Sequence, residues 1–338
     1  MKRHGNLYEK AFSRKNLYQA YLDASRHKHG TRACFNFERN LGANLETLYL
    51  ELQDGSYRPH PYYSFMVYEP KPRKIYAPAF RDLVVQHAIY RIIYPIFGRG
   101  FIDQSFACRP GMGTHVAADY AQEALRKSAK GSYSLKLDIR KFFYRIDRAV
   151  LRGLIERKIK DVRFVDLLMA FADHGEPVGI PIGNLLSQLF ALIYLNPLDH
   201  FIKRELKVKL YGRYVDDFVL FGISLERARE YKRRIVEFLG RFGLELSKAV
   251  LQPISRGINF VGYRTWASKR FIRRRSLFNF RRAIRRLRIE SIVSILGHAR
   301  RTHSRQHLLS TLKERQNAPY LQLPKNYRRR HHALARTA

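Results

Sequence analysis

The sequence predicts an α+β fold, and three observations carry that prediction. Residues 6 to about 55 repeat apolar positions at helical spacing, first Leu7, Phe12, Leu17 and Tyr21, then Leu41, Leu45, Leu48 and Leu50. Short β-prone runs follow around residues 62–76, 132–138, 210–222 and 258–263. Beyond Lys269 the helical spacing returns on a strongly basic background. With 338 residues the chain can bury a sizeable core in two or three subdomains. Its apolar content of 46% excludes a disordered protein.

After the N-terminal helical lobe, residues 62–76 are split by Pro70 and Pro72 and read as a β-hairpin. Its tip is Glu69-Pro70-Lys71-Pro72-Arg73-Lys74. A basic tip is ordinarily a solvated turn, and phosphate contact becomes the better reading only beside a nucleotide site. Leu83, Val84, Ile89, Ile92, Ile93 and Ile96 share one face of a helix over 80–97 that ends before Gly98. The loop-like stretch 105–111 leads to a helix over about 114–128, with His115 near its start in a position that suits a structural contact. Tyr133, Leu135 and Leu137 alternate along a strand that ends on the carboxylate of Asp138. Lys141-Phe142-Phe143-Tyr144-Arg145-Ile146-Asp147 is an aromatic turn opening a helix.

Helices over about 147–158 and 162–173 precede Gly179-Ile180-Pro181-Ile182-Gly183-Asn184-Leu185-Leu186-Ser187-Gln188. Two glycines and a proline there let the backbone approach a ligand, or simply cap the apolar helix over 189–206. A helix over 224–240, a strand opening at 243–248 and a short hairpin at Ile258-Asn259-Phe260-Val261-Gly262-Tyr263 follow. Leu277, Phe280, Ile284 and Leu287 then keep helical spacing among many arginines, which makes a basic amphipathic helix. The last ten or so residues, with Arg328-Arg329-Arg330-His331-His332, are expected to be mobile.

The net charge of +36, from 64 Lys and Arg against 28 Asp and Glu, points to a polyanionic partner, most simply nucleic acid. A ribosomal or architectural protein would carry the same charge, so it names a partner and no activity. Cys34 and Cys108 show no paired spacing, which indicates neither a disulfide framework nor a zinc site and fits a reducing cytoplasm. No signal-peptide core opens the chain and no apolar stretch approaches the roughly 18 residues that span a bilayer. A soluble intracellular protein without a membrane partner is expected.

Tyr214-Val215-Asp216-Asp217 sets two adjacent carboxylates into an apolar, strand-like run. The residues on either side read as two arms of a buried hairpin with the aspartates at its reversal. Two such charges cost roughly several kcal/mol to desolvate without a partner. A bound cation or nearby basic groups would make them tolerable. A turn with two solvated aspartates is an equally simple alternative, because Asp is a common turn former. Asp138, far off in sequence, is a second candidate metal ligand.

Together these stretches resemble the reverse transcriptase family over roughly residues 65–266, with the motifs in the family's order. Tyr214-Val215-Asp216-Asp217 looks like the polymerase Tyr-X-Asp-Asp motif, and Leu137-Asp138 with Phe142-Phe143 looks like the first catalytic-aspartate motif. Within the family, Glu69-Pro70-Lys71-Pro72-Arg73, Gly179-Ile180-Pro181-Ile182-Gly183-Asn184 and Ile258-Asn259-Phe260-Val261-Gly262-Tyr263 look most like the enzymes of diversity-generating retroelements. Ser187-Gln188 is the sharpest mark.

The resemblance implies a right-hand polymerase fold. Residues 1–130 would form an N-terminal helical region and fingers, 131–268 a palm of antiparallel sheet and helices with a fingers insertion around 150–185, and 269–338 a helical thumb and tail. Asp138, Asp216 and Asp217 would be catalytic. Asp138, Ile139 and Asp216 would hold two Mg2+ ions about 3.5–4 Å apart, with Mn2+ as a substitute, and Asp217 would add charge nearby. One ion would lower the pKa of the primer 3′-hydroxyl and the other would balance charge on the leaving pyrophosphate. Lys71 and Arg73 would grip the triphosphate. Phe143 would close off the sugar 2′ position, which favours DNA as product. Ile182 and Gln188 would lie beside the incoming nucleotide, and Lys248 stands where a proton donor to pyrophosphate is sometimes placed, although a strand lysine is more often simply exposed. Arg273, Arg274, Arg281 and Arg285 would hold template and primer backbones without reading sequence.

Many reverse transcriptases carry Pro-Gln-Gly where this chain has Pro181-Ile182-Gly183, and a proline where it has Gln188. One lost amide hydrogen bond is worth about 1 kcal/mol, a factor of about five in discrimination. Looser base selection is therefore expected, in line with the error-prone copying of template adenines that the diversity-generating resemblance implies. The implied partners are a template RNA, cDNA or primer, dNTPs and a small basic accessory variability protein, in the cytoplasm of a bacterial or phage-infected cell. A retron or group II intron enzyme is the competing reading within the family, and the lack of an obvious maturase extension or His-Asn-His nuclease counts against the intron enzyme. A non-catalytic RNA-binding protein on a polymerase scaffold belongs to a different class, and a scaffold without activity would have no need of three costly aspartates.

Overall fold

A computed structural model describes residues 3–68 and 71–315. Four helices open the chain: α1 (Leu7–Ala11), α2 (Arg14–Ser25), α3 (Arg32–Glu38) and α4 (Leu41–Asp54). The side chains of Ser13 and Thr31 accept from the backbone N–H groups of Asn16 and Cys34, closing donors that a first helical turn leaves open. Strands β1 (Tyr63–Val67) and β2 (Arg73–Ala77) form the expected hairpin. Arg73 and Lys74 belong to β2 rather than to the tip, and Glu69 and Pro70 lie outside the described residues. Helix α5 (Phe80–Gly98) runs through Gly98 instead of stopping before it.

Then come α6 (Thr114–Lys127), β3 (Tyr133–Ile139), the single turn α7 (Phe142–Arg145), α8 (Arg148–Glu156) and α9 (Val162–Ala172). Asp147 and Asp161 cap α8 and α9 through their side chains. Helix α10 (Leu185–His200) begins at Leu185, not Leu189, because the Asn184 side chain accepts from the Ser187 N–H and supplies a cap. Ser187 and Gln188 therefore belong to its first turn. With the π-helical turn Phe201–Glu205, the 21-residue stretch Leu185–Glu205 is long and apolar enough to cross a membrane, against expectation, yet 72% of its apolar window is buried inside the protein. It is the helix of a protein core.

Strands β4 (Leu210–Tyr214) and β5 (Asp217–Ile223) form the carboxylate hairpin, followed by α11 (Leu225–Gly240) and β6 (Leu246–Pro253). The hairpin expected at 258–263 grows into three strands, β7 (Ile258–Phe260), β8 (Tyr263–Thr265) and β9 (Arg270–Ile272). The helices α12 (Arg274–Arg285), α13 (Ile289–His298) and α14 (Ser304–Arg315) complete the described chain. Leu287, expected on the apolar face of α12, lies beyond its end with φ 51° and is 53% exposed, because the chain turns there. The tail with Arg328-Arg329-Arg330-His331-His332 lies outside the described residues.

The chain divides into two units. The first comprises Met1–Cys108, Leu137–Lys209 and Glu230–Ala249. Its α10 packs on α5, α8 and α9, and Phe190, Ile193 and Tyr194 of α10 are buried, as are Val84 and Ile89 of α5, Leu151 of α8 and Leu168 of α9. Each such side chain contributes about 1.5–3 kcal/mol. The second unit comprises Arg109–Lys136, Leu210–Arg229 and the chain from Val250 onward. Its core gathers Ala118, Tyr263 and Ile272 with Phe280, Ile284, Ile292, Leu296, Leu308 and Leu312 of the last three helices. A four-stranded sheet has the order β4-β5-β3-β6, and β3 and β6 each begin in one unit and finish in the other.

Candidate active site

In the second unit, β4 and β5 pair from Leu210↔Phe221 to Tyr214↔Asp217, so the reversal is the two-residue turn Val215-Asp216. Asp217 is the first paired residue of β5, and only Asp216 stands in the turn. Phe218, Val219, Leu220 and Phe221 bury the second arm. A two-residue hairpin turn favours positive φ, which Gly or Asn supplies easily. Here Val215 takes φ 57°, a left-handed conformation that costs a β-branched residue about 1–2 kcal/mol. Such strain persists where the surroundings hold it. The holder is Arg213, 1% exposed, whose Nη1 donates to the Val215 carbonyl at 3.0 Å.

Asp217 Oδ2 lies 2.8 Å from Lys136 Nζ, and both side chains are 21% exposed. The basic group that the paired carboxylates require is therefore present, and the reading of two solvated aspartates fails at Asp217. Lys136 sits on β3 two residues before Asp138, so the two side chains leave the same face of that strand. In the first unit, Asp138 is half-buried and accepts a hydrogen bond from Ser247 Oγ, which also lies 3.3 Å from the Asp138 carbonyl. Lys136, Arg213 and Ser247 were not among the residues that the sequence singles out. Only the polar side of the alternation along β3 hinted at Lys136.

The run from Gly179 to Asn184 turns out to be a strap within the first unit. The Gly179 and Ile180 N–H groups donate to the carbonyls of Ile146 and Phe143, at 3.0 and 2.9 Å. A Cβ on Gly179 (φ 94°) would stand 2.9 Å from the Phe143 oxygen, so backbone passes there at contact distance. At the far end the Tyr76 N–H donates to the Ile182 carbonyl at 2.8 Å, and a Cβ on Gly183 (φ 111°) would meet Ile75 Cγ2 at 2.6 Å. Asn184 Nδ2 donates to the Tyr62 hydroxyl at 2.9 Å. The close backbone approach that the glycines allow is thus made to α7 on one side and to β2 on the other.

Residues 69–265, more than half of the chain, match the family described as reverse transcriptase (RNA-dependent DNA polymerase). The chain belongs to the reverse transcriptase family. It is similar to protein YkfC of Escherichia coli K12, 26% identical over 297 residues that cover 73% of this chain and 76% of YkfC. It is also similar to the group II intron-encoded protein LtrA of Lactococcus lactis, 31% identical over 177 residues, which are 49% of this chain and only 29% of LtrA. Apo telomerase from Candida tropicalis, at 15% identity and a TM-score of 0.47, covers 65% of this chain, which matches 49% of that one. The fold class of this reverse transcriptase is α+β, the right-hand polymerase fold of its family.

In this reverse transcriptase the first unit carries Lys71, Arg73, Asp138, Ile139, Phe143, Ile182, Gln188 and Lys248. Hydrogen bonds link the Phe143 turn, Ile182 and β2 within it. Phe143 is half-buried with its ring 5.5 Å from that of buried Phe142. Ile139 is buried and has no side-chain donor atom, so only its carbonyl could ligate a metal. Lys71, Arg73, Gln188 and Lys248 are exposed, as are Arg273, Arg274, Arg281 and Arg285 at and along α12 in the second unit. His115 serves structure: its Nδ1 lies 3.2 Å from the Tyr263 hydroxyl, which donates to the His298 carbonyl at 2.8 Å, and burial holds both imidazoles below the usual histidine range. A separate group, His29, Cys34 and Glu38, has its potential ligating atoms within 4.8 Å of one another. Burial first, and then Glu38, push the Cys34 thiol up to about 11, and Tyr21 donates to the same carboxylate at 2.8 Å, so the group reads as a hydrogen-bond network between α2 and α3.

Proposed function

We propose that this reverse transcriptase copies a template RNA into cDNA by two-metal phosphoryl transfer, with Asp138, Asp216 and Asp217 as its catalytic carboxylates. The observation that supports this most is the Lys136–Asp217 ion pair, because Lys136 shares a face of β3 with Asp138 and β3 neighbours β5 in the sheet order. The donors are all carboxylate or carbonyl oxygens, which suit Mg2+ and exclude a thiolate-type zinc site. When bound, the two ions lower the pKa of the primer 3′-hydroxyl and offset charge on the leaving pyrophosphate. Lys136 pairs with Asp217, and coordination falls to Asp216, Asp138 and the Ile139 carbonyl. Ser247 fixes the side chain of Asp138. Lys71 and Arg73 hold the triphosphate, Phe143 shields the sugar 2′ position, and Lys248 stands as proton donor to pyrophosphate. In this reading residues 1–130, 131–268 and 269–338 are fingers, palm and thumb.

The arginines of α12 hold nucleic-acid backbone, and their effect is expected in salt. With about four phosphate contacts, affinity for a template–primer should fall roughly a hundredfold between about 50 and 200 mM salt. An affinity that stays flat over that range would remove α12 from the interface.

The finer reading is that the enzyme serves a diversity-generating retroelement in a bacterial or phage-infected cell, with a structured template RNA and a small basic accessory protein. Ile182 and Gln188 support it, since an apolar side chain where many relatives place an amide loosens selection of the incoming base. Ile182→Gln keeps the carbonyl that binds Tyr76 and is expected to lower misincorporation at template adenines about fivefold in primer extension. An unchanged error spectrum would remove Ile182 from base selection. The likeness to LtrA favours a second reading, an enzyme of group II intron type. Errors spread evenly over the four template bases would support that one instead.

A further inference from the structure

A groove of about 510 Å³ opens on the second unit between the β7–β9 sheet and the start of α12. Arg264, Trp266, Phe271, Arg273, Arg274 and Arg275 line it, and no carboxylate does. Four guanidinium groups around one groove repel one another, and a polyanion is the occupant that best offsets that repulsion. Helix α12 begins there without a side-chain cap, so the N–H groups of its first turn also favour an anion.

Trp266 is the only tryptophan of the chain. Its indole is fixed from below and from the side. Gly257 (φ 62°) lies against it so closely that a Cβ would stand 2.8 Å from the ring, and Phe271 meets it edge-on at 6.1 Å and 83°. Arg264 and Lys269 place their cations 4.9 and 5.5 Å from the ring centre. A positioned aromatic ring among cations is the arrangement by which proteins take a nucleobase by stacking and its phosphates by charge. A base inside a duplex has both faces covered by its neighbours, so only an unpaired base can lie on the indole.

We propose that this groove binds an unpaired nucleotide of the template RNA, stacked on Trp266 with its flanking phosphates on Arg273, Arg274 and Arg275. The identity of the strand rests on the copying activity proposed above, whereas the stacking does not require catalysis.

The single tryptophan supplies the test. Titration of the full chain, without Mg2+ or dNTPs, with a single-stranded oligoadenylate RNA is expected to quench its intrinsic fluorescence saturably, and an RNA–DNA duplex of equal length should quench it far less. In anisotropy with labelled RNA, Trp266→Leu is expected to bind the single strand about tenfold more weakly and the duplex as before, while Trp266→Phe retains most of the affinity. Equal quenching by the duplex, or binding of the single strand without quenching, would overturn the proposal. An Asp216→Asn variant should show the full quench while failing to extend a primer. Intact extension without a quench therefore refutes the stacking site and leaves the polymerase reading standing, whereas a quench in a wild-type chain that cannot extend does the reverse.

Discussion

Asp216→Asn is expected to lower metal-dependent primer extension on an RNA template at least about a thousandfold, with the melting temperature within a few degrees of the wild type. The substitution keeps the size of the side chain and one oxygen, but removes the negative charge that a divalent cation requires. Asp216 occupies the two-residue turn, not the paired strand, so no ladder hydrogen bond is at stake. Removing a charge next to Asp217 also relieves like-charge repulsion between the two carboxylates. Asp217→Asn should differ, because it strands the half-buried Lys136 and so costs stability as well as rate. Extension assays beside thermal melts separate the two variants. An Asp216→Asn enzyme that still extends would take Asp216 out of the site.

Arg213→Met is expected to destabilise the protein by about 3 kcal/mol, a large share of the stability of an ordinary domain. The guanidinium is buried, and a hydrogen bond from a charged donor contributes about 1.5–3 kcal/mol. Its acceptor is the carbonyl of Val215, the residue held at φ 57°. Without that bond the turn loses the restraint that keeps a β-branched residue left-handed, and Asp216 loses its fixed position. Adding Val215→Gly should restore about 1 kcal/mol in the Arg213→Met background, since glycine adopts positive φ without penalty. Denaturant melts of the single and double variants measure this coupling. If Val215→Gly gives no recovery there, Arg213 acts through contacts other than the turn.

Much of the fold was legible because the residues that decide it are local. Helical spacing over the first 55 residues and the alternation from Tyr133 to Leu137 each belong to one element, and the structure has those elements. The elements misjudged were decided by a single side chain or by a partner distant in sequence. Asn184 starts α10 early through one cap, and the three residues of β9 form a strand only because β8 pairs with them. The same holds at the site. The aspartates stand out from the sequence, since carboxylates in apolar runs are conspicuous. Lys136, Ser247 and Arg213 do not, because a lysine, a serine or an arginine acquires meaning only from the strand or turn beside it.

The strap from Gly179 to Asn184 ties two separate elements of the first unit together through one short peptide. Its one end fastens the turn that presents Phe143 and its other end fastens the hairpin that carries Lys71 and Arg73. With Phe143 and the Lys71–Arg73 hairpin in the roles proposed above, sugar choice and triphosphate affinity would be mechanically coupled. A lineage that alters this peptide cannot tune one without disturbing the other, so along its descent changes in fidelity and changes in nucleotide affinity should travel together.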